Sequence, residues 1–289
     1  MVDKKEKGVI YYEIRPTERL YKQVMGLLFY MNEAHAQDKN LVLPFFKLGD
    51  PLPNTTEYEW YDFNQIFDWW EINKAPIGFV QPGGFPDPVA HADNPSFRDP
   101  ANIIVLDSVN QLPYGNPLHT KWRQYISINK RIENAARRNT SSALQKDKIY
   151  QYLAVHWRQD DFLRVRPQVT MNAKELVELI KLRLKETTLE HVYIATDCKS
   201  QKDLDYIHAN LNTFTVTTKG LHNEHTSEPD DPIYIAAQDI LICSWSTYFI
   251  GTWSSSFTSF IRGERDKLNI PQGRTEIINN DELKNAVKE

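Results

Sequence analysis

From Tyr152 to Asp266 short apolar runs rich in β-branched and aromatic residues alternate with amphipathic segments, and that rhythm restricts the fold more than any other feature of the chain. "YLAVHW" reads as a strand. "NAKELVELIKLRLKE" follows as a helix, with Asn172 at its N-cap and Glu175 three residues on, the pair that forms a capping box. "HVYIATD" is a second strand, "SQKDLDYIHANL" a helix capped by Ser200, and "FTVTTK" a third strand. "DDPIYIAAQDILICS", "YFIGT" and "SSSFTSFIRGERD" continue the series as helix, strand and helix. Strands separated each time by a helix-length segment pair in parallel, and such sheets place ligands outside the carboxyl ends of their strands. The expectation is an α/β fold built on parallel sheets.

The first half is less regular. "GVIYYEI" (Gly8 to Ile14) reads as a strand, and Leu20, Val24, Leu27, Leu28 and Met31 mark one face of a helix after it. "LVLPFF" (Leu41 to Phe46) is a further strand. From Lys47 to Pro100 the sequence is dense in Pro, Gly, Asp and Trp, with one helix expected at "FNQIFDWWEIN", where Phe63, Phe67 and Trp70 fall at core-face spacing together with the preceding Trp60. Long decorated segments of this kind shape binding surfaces on a rigid frame. "NIIVLD" (Asn102 to Asp107) is again a strand, and the stretch from Trp122 to Gln151 reads as mostly helical and connecting. The expected boundary falls in that stretch, giving domains 1–140 and 141–289.

Of 289 residues, 41% are hydrophobic and 12% aromatic, ample for two cores without help from disulfides. The 34 basic and 38 acidic residues leave a net charge of −4, which excludes general affinity for nucleic acid or anionic membrane. An anionic ligand must be held by a local site. Two cysteines, Cys198 and Cys243, make no disulfide framework, no apolar run follows the N-terminal lysines, and no stretch approaches a membrane span; a cytoplasmic location is the expectation.

Three strand ends concentrate polar chemistry. His156 and Arg158 lie at the end of "YLAVHW", where the sequence passes through Asp160 and Asp161 to Phe162. Asp197 ends "HVYIATD". "FIGTWSSSF" sets Ser254, Ser255, Ser256 and Phe257 at the start of a helix, where hydroxyls and free backbone N–H groups make an anion cradle. An exposed ion pair or a capping serine explains each piece alone. Arg, Asp and a hydroxyl-rich helix start on one predicted sheet point instead to a phosphate-bearing ligand. Metal is not expected: Asp203 and Asp205 have Asp-x-Asp spacing but sit within a helix, and neither His222 with His225 nor His91 with Asp93 has a third ligand at known spacing.

"HWRQDDF", "IATD" and "FIGTWSSSF", in this order and spacing, resemble the GDP-fucose protein O-fucosyltransferase family, particularly the branch acting on thrombospondin-type repeats. The resemblance implies a GT-B fold of two facing Rossmann-like domains, 1–140 on the acceptor side with irregular loops and 141–289 binding the nucleotide sugar. It implies an inverting, metal-independent transfer from GDP-fucose to a hydroxyl of a glycan or protein acceptor, with no cofactor. Arg158 would hold the departing diphosphate through its planar fork. Ser254, Ser255, Ser256 and the backbone of Phe257 would hold the remaining oxygens, while His156 and Asp197 orient ribose and base. Glu18, in "RPTERLY", falls on the family's acidic position near the first strand and is the candidate base; Asp62, Asp68 and Glu71 are acceptor-side alternatives. Trp157 and Gln159 depart from the family's His-Leu-Arg-Arg. Two other readings stand beside this one: a xylosyltransferase using UDP-xylose, as in an algal-virus enzyme of the same architecture, and a catalytically silent nucleotide-sugar-binding module.

Overall fold

The computed structural model describes residues 7–15, 20–47, 60–81, 100–143, 151–212, 215–218 and 232–278. The chain divides into two compact units, Met1–Lys130 and Arg131–Glu289.

In the first unit, β1 (Val9–Ile14) leads to helix α1 (Leu20–Ala36) and β2 (Asn40–Val42). Val24, Leu27, Leu28 and Met31 of α1 are buried, the face predicted by their spacing. Two-residue strands β3 (Phe46–Lys47) and β4 (Trp60–Tyr61) form an antiparallel ribbon. The predicted "LVLPFF" strand is therefore split, because Pro44 cannot donate to a ladder. The helix expected over residues 63–73 is also split, into α2 (Phe63–Ile66) and α3 (Trp69–Ile72). Phe67 is extended between them, bridged to Ile128 and packed against the rings of Phe46 and Phe63 at 5.2 and 5.4 Å. Burying Phe67 in that cluster ends one helix, and Asp68 caps the next. Trp70 consequently points outward, 78% exposed. β5 (Phe79–Val80) and β6 (Ile103–Ser108) complete a four-stranded parallel sheet of order β5-β2-β1-β6. Helix α4 (Pro117–Arg123), capped by Asn116, is tied to α1 by the Trp122 indole, which donates to Asn32 at 3.2 Å, and by His119 against the Tyr21 hydroxyl at 2.8 Å.

The second unit opens with α5 (Lys130–Ala143), followed by β7 (Leu153–Trp157), short helix α6 (Asp160–Val165) and α7 (Ala173–Thr187). Next come β8 (His191–Thr196), α8 (Gln201–Asn210), β9 (Thr215–Thr218), α9 (Pro232–Trp245), β10 (Tyr248–Thr252), α10 (Ser256–Lys267) and β11 (Thr275–Ile278). The five strands are parallel, in the order β11-β10-β7-β8-β9. All five residues of β7 are buried, as expected of a central strand covered on both faces. Leu153, Val155 and Trp157 pack with Leu176, Ile180, Val192 and Ile194 in one core. The chain runs outward from β7 through β8 to β9, then returns to the other flank with β10. That reversal is a topological switch point, and it opens a crevice at the carboxyl ends of β7 and β10.

Candidate functional site

His156, the fourth residue of β7, is 5% exposed, and its Nδ1 lies 2.7 Å from Thr258 Oγ1 on α10. The Phe257 ring covers it at 4.7 Å. Burial, then the positive charge of Arg158, lowers its pKa to about 3, so the ring is neutral at physiological pH. Its Nε2 has no partner among the described residues. A neutral imidazole fixed through one nitrogen is a hydrogen-bonding group for a ligand, not a source of charge.

Arg158 follows directly beyond the strand end. Its backbone N–H donates to Thr252 Oγ1 at 3.1 Å, and the Thr252 hydroxyl donates to the His156 carbonyl at 2.8 Å, so one threonine clasps the ends of β10 and β7. The guanidinium is mostly buried, pairs with Asp197 at the end of β8, and lies 5.4 Å from the centre of the Phe162 ring. Asp197 accepts at its other oxygen from the Gln159 backbone N–H at 2.7 Å. Gln159 turns its side chain away, its amide nitrogen donating to the Met171 carbonyl at 2.9 Å. Trp157 is 1% exposed and donates to the same carbonyl at 2.9 Å, so it is a packing residue.

β10 supplies the opposite wall. Ser254 follows in the left-handed region, φ 55°, a turn that swings the chain into α10 with Ser255 at the N-cap. A helix start leaves its first N–H groups without carbonyl partners inside the helix, and here they open beside His156 and Arg158. Gly251 permits the close approach: a Cβ there would lie 2.4 Å from Thr258 Cγ2. Arg166, beyond α6, donates to Ser254 Oγ at 2.7 Å.

His156, Arg158 and Asp197 are thus brought together with the Ser254–Phe257 turn at three adjacent strand ends. The other candidates are on other elements or outside the described residues. Asp62, Asp68 and Glu71 belong to the first unit. Asp68 caps α3 through the N–H groups of Trp70 and Glu71, and Glu71 pairs with Lys74 at 2.7 Å. Asp62 keeps its Oδ1 buried, with no hydrogen-bond partner for it among the described residues. Glu18, His91, Asp93, His222 and His225 lie outside the described residues, as do the side chains of Asp160 and Asp161. Asp203 and Asp205 are on α8, where Asp205 accepts from Gln201. Among the described residues no group of three His, Cys, Asp or Glu side chains could hold a metal ion. Sequence reasoning missed Thr252, Thr258 and Arg166. Thr252 and Thr258 flank the quoted serine run and could have been found from the parallel register that sets Gly251 beside His156; Arg166 carries no such signal.

The profile of the GDP-fucose protein O-fucosyltransferase family matches residues 96–268. The chain is 31% identical to GDP-fucose protein O-fucosyltransferase 2 of Caenorhabditis elegans over 128 residues, which are 43% of this chain and 28% of that one. It is 30% identical to GDP-fucose protein O-fucosyltransferase 2 of Drosophila melanogaster over 124 residues, 43% of this chain and 25% of the relative. The match spans about a quarter of the length of these curated relatives. A crystal structure of POFUT1 in complex with GDP-fucose superimposes with a TM-score of 0.70 at 18% identity, covering 94% of this chain and 99% of that one. The fold is accordingly GT-B, with two parallel-strand sheets. The relatives correct the cytoplasmic expectation: protein O-fucosyltransferase 2 and POFUT1 are lumenal enzymes of the endoplasmic reticulum. That expectation rested on few cysteines and on the first residues of the chain, neither of which fixes a compartment. Among the described residues no helix is long and apolar enough to cross a membrane. With the profile covering more than half of its residues, the chain belongs to the GDP-fucose protein O-fucosyltransferase family.

Proposed function

We propose that the protein is a glycosyltransferase that moves fucose from GDP-fucose to a hydroxyl of a glycoprotein or glycan acceptor, with inversion and without metal. The observation that carries this reading is the gathering of polar groups at the switch point between β7 and β10, where Arg158 pairs with Asp197, its N–H bonds Thr252 of β10, and His156 bonds Thr258 of α10.

As the bond to the sugar breaks, negative charge grows on the departing diphosphate. Preorganised donors aimed at that charge lower the barrier without reorganising. Arg158 offers a fork held from behind by Asp197 and over the Phe162 ring. The first N–H groups of α10, with the Ser255 and Ser256 hydroxyls, offer the remaining donors, and the helix dipole adds about half a positive charge. His156 donates or accepts through Nε2, and Asp197 has lone pairs left for ribose or base. The acceptor proton goes to a carboxylate, for which Glu18 is the first candidate. Metal independence follows from Arg158 and the helix start taking the role a divalent cation plays in other glycosyltransferases.

Family membership and the identity to two protein O-fucosyltransferases support GDP-fucose. Neither favours UDP-xylose or a silent binding module. Thermal unfolding with GDP-fucose, GDP-mannose, UDP-xylose and UDP-glucose separates these readings, because a ligand at 100 times its Kd stabilises the fold by about 2.7 kcal/mol. GDP-fucose raises the midpoint, and GDP appears when an acceptor is added in the presence of EDTA. A shift with UDP-xylose alone, or binding without GDP release, contradicts the proposal.

A further inference from the structure

The donor site just proposed has a charge problem. Arg158 is already paired with Asp197, and the buried, neutral His156 adds no charge. The described side chains at the three strand ends therefore carry no surplus positive charge, and the helix start contributes only about half of one. A nucleoside diphosphate brings several negative oxygens. Gln159, the immediate neighbour of Arg158, spends its amide on Met171 and offers nothing to an anion.

Arg166 meets this need. Its guanidinium carbon lies 5.2 Å from the centre of the Phe162 ring, the same ring that Arg158 approaches to 5.4 Å, so two guanidinium groups converge on one aromatic side chain. Its Nη1 donates to the hydroxyl of Ser254 at 2.7 Å and faces the Ser254 carbonyl at 3.3 Å, on the turn that leads into α10. Among the described residues no carboxylate pairs with it, and its Nε and Nη2 make no hydrogen bond. The backbone beneath is fixed: the Arg166 N–H donates to the Phe162 carbonyl at 2.8 Å and the Arg166 carbonyl accepts from Val169 at 3.1 Å. A solvent-exposed cation rigidly mounted, stacked on an aromatic face and left with spare donors beside an anion cradle is preorganised for phosphate.

We propose that Arg166 is a second phosphate-binding residue of this donor site, holding the nucleoside diphosphate from the Ser254 side while Arg158 holds it from the β7 side. The assignment rests on the donor-site reading above. It makes recognition depend on the diphosphate more steeply than one paired arginine could. It also couples the ligand to the Ser254 turn, since the same guanidinium touches both.

Calorimetric titration of the full chain with GDP, GMP and guanosine tests it, using the wild type, Arg166→Ala, Arg166→Lys and Arg164→Ala. Arg164 sits on α6 and makes no contact with Ser254 or the Phe162 ring among the described residues. Arg166→Ala weakens GDP about tenfold or more and leaves guanosine within about twofold, so the preference for GDP over guanosine collapses. Arg166→Lys recovers part of the loss, and Arg164→Ala leaves all three ligands near the wild type. Unchanged GDP affinity in Arg166→Ala overturns the assignment. So does an equal loss for GDP and guanosine, which marks a merely structural role for the Ser254 contact. Failure of the wild type to bind GDP at all overturns the donor-site reading itself and this assignment with it.

Discussion

Thr258 shows how a site can depend on a residue that does no chemistry. Its hydroxyl fixes Nδ1 of a neutral, buried histidine, and its methyl occupies the space that Gly251 leaves beside β10. Thr258→Val keeps the shape and removes the hydroxyl, leaving His156 free to rotate or to present the other tautomer. The expected result is a donor Kd raised about tenfold with little change in melting temperature, and Thr258→Ser restores affinity; calorimetry with GDP reads both. His156, Arg158, Asp197 and the serine run were legible in the sequence because each closes an apolar strand with polar chemistry. Thr258 was not, since a threonine one turn into an amphipathic helix has no pattern of its own. Its importance arises from the parallel pairing of Gly251 with His156.

At the scale of elements, the alternation from residue 152 to 266 was read correctly because every crossover carries its own signal, such as the Asn172 and Glu175 capping box, which forms as expected. β11 was missed. Four residues following a Pro-Gly turn have no periodicity, and the strand exists through its partners. Arg183 holds Glu276 with a two-point fork at 2.6 and 2.7 Å, and Tyr248 donates to the same carboxylate at 3.0 Å. Arg265, buried in the last turn of α10, donates to the carbonyls of Ser244, Ser246 and Arg274 and to the Thr275 hydroxyl. It binds the end of α9, the approach to β10 and the entry to β11 with one guanidinium, and burial lowers its pKa to about 10. Arg265→Leu removes the guanidinium from the buried carbonyls of Ser244 and Ser246 and from the half-buried one of Arg274, and denaturant unfolding should show a loss of about 3 kcal/mol or more. A loss below about 1 kcal/mol would show that water replaces the guanidinium. The broken helix over residues 63–73 failed for a related reason: helical spacing of aromatics is a local signal, and the pull of Phe67 into the Phe46 and Phe63 cluster is not.

For the whole molecule, among the described residues two buried histidines with lowered pKa values, one in each compact unit, tie stability to pH. Burial, with a nearby arginine in each case, lowers His119 to about 4 and His156 to about 3. The unfolded chain binds a proton at each near pH 6.5 while the folded chain does not, so both contribute stability that is present above about pH 6.5 and is lost as pH falls toward 4 and 3. Each ring contributes a slope of about 1.4 kcal/mol per pH unit in that window. Thermal unfolding between pH 7 and 4.5 should show the midpoint falling with acidification, with a shallower fall in His119→Gln. A midpoint independent of pH over that range contradicts the burial of both rings. The same neutrality leaves His156 an uncharged hydrogen-bonding group in the proposed donor site.

The proposed donor site turns on Arg158 meeting a diphosphate at the start of α10, and the most direct measurement is the turnover of Arg158→Ala with GDP-fucose and an acceptor, beside Arg158→Lys. The expected result is a fall of roughly a hundredfold or more for Ala, with Lys recovering only part because it lacks the planar fork. Turnover of Arg158→Ala within a few-fold of the wild type would contradict the placement of the donor at these strand ends.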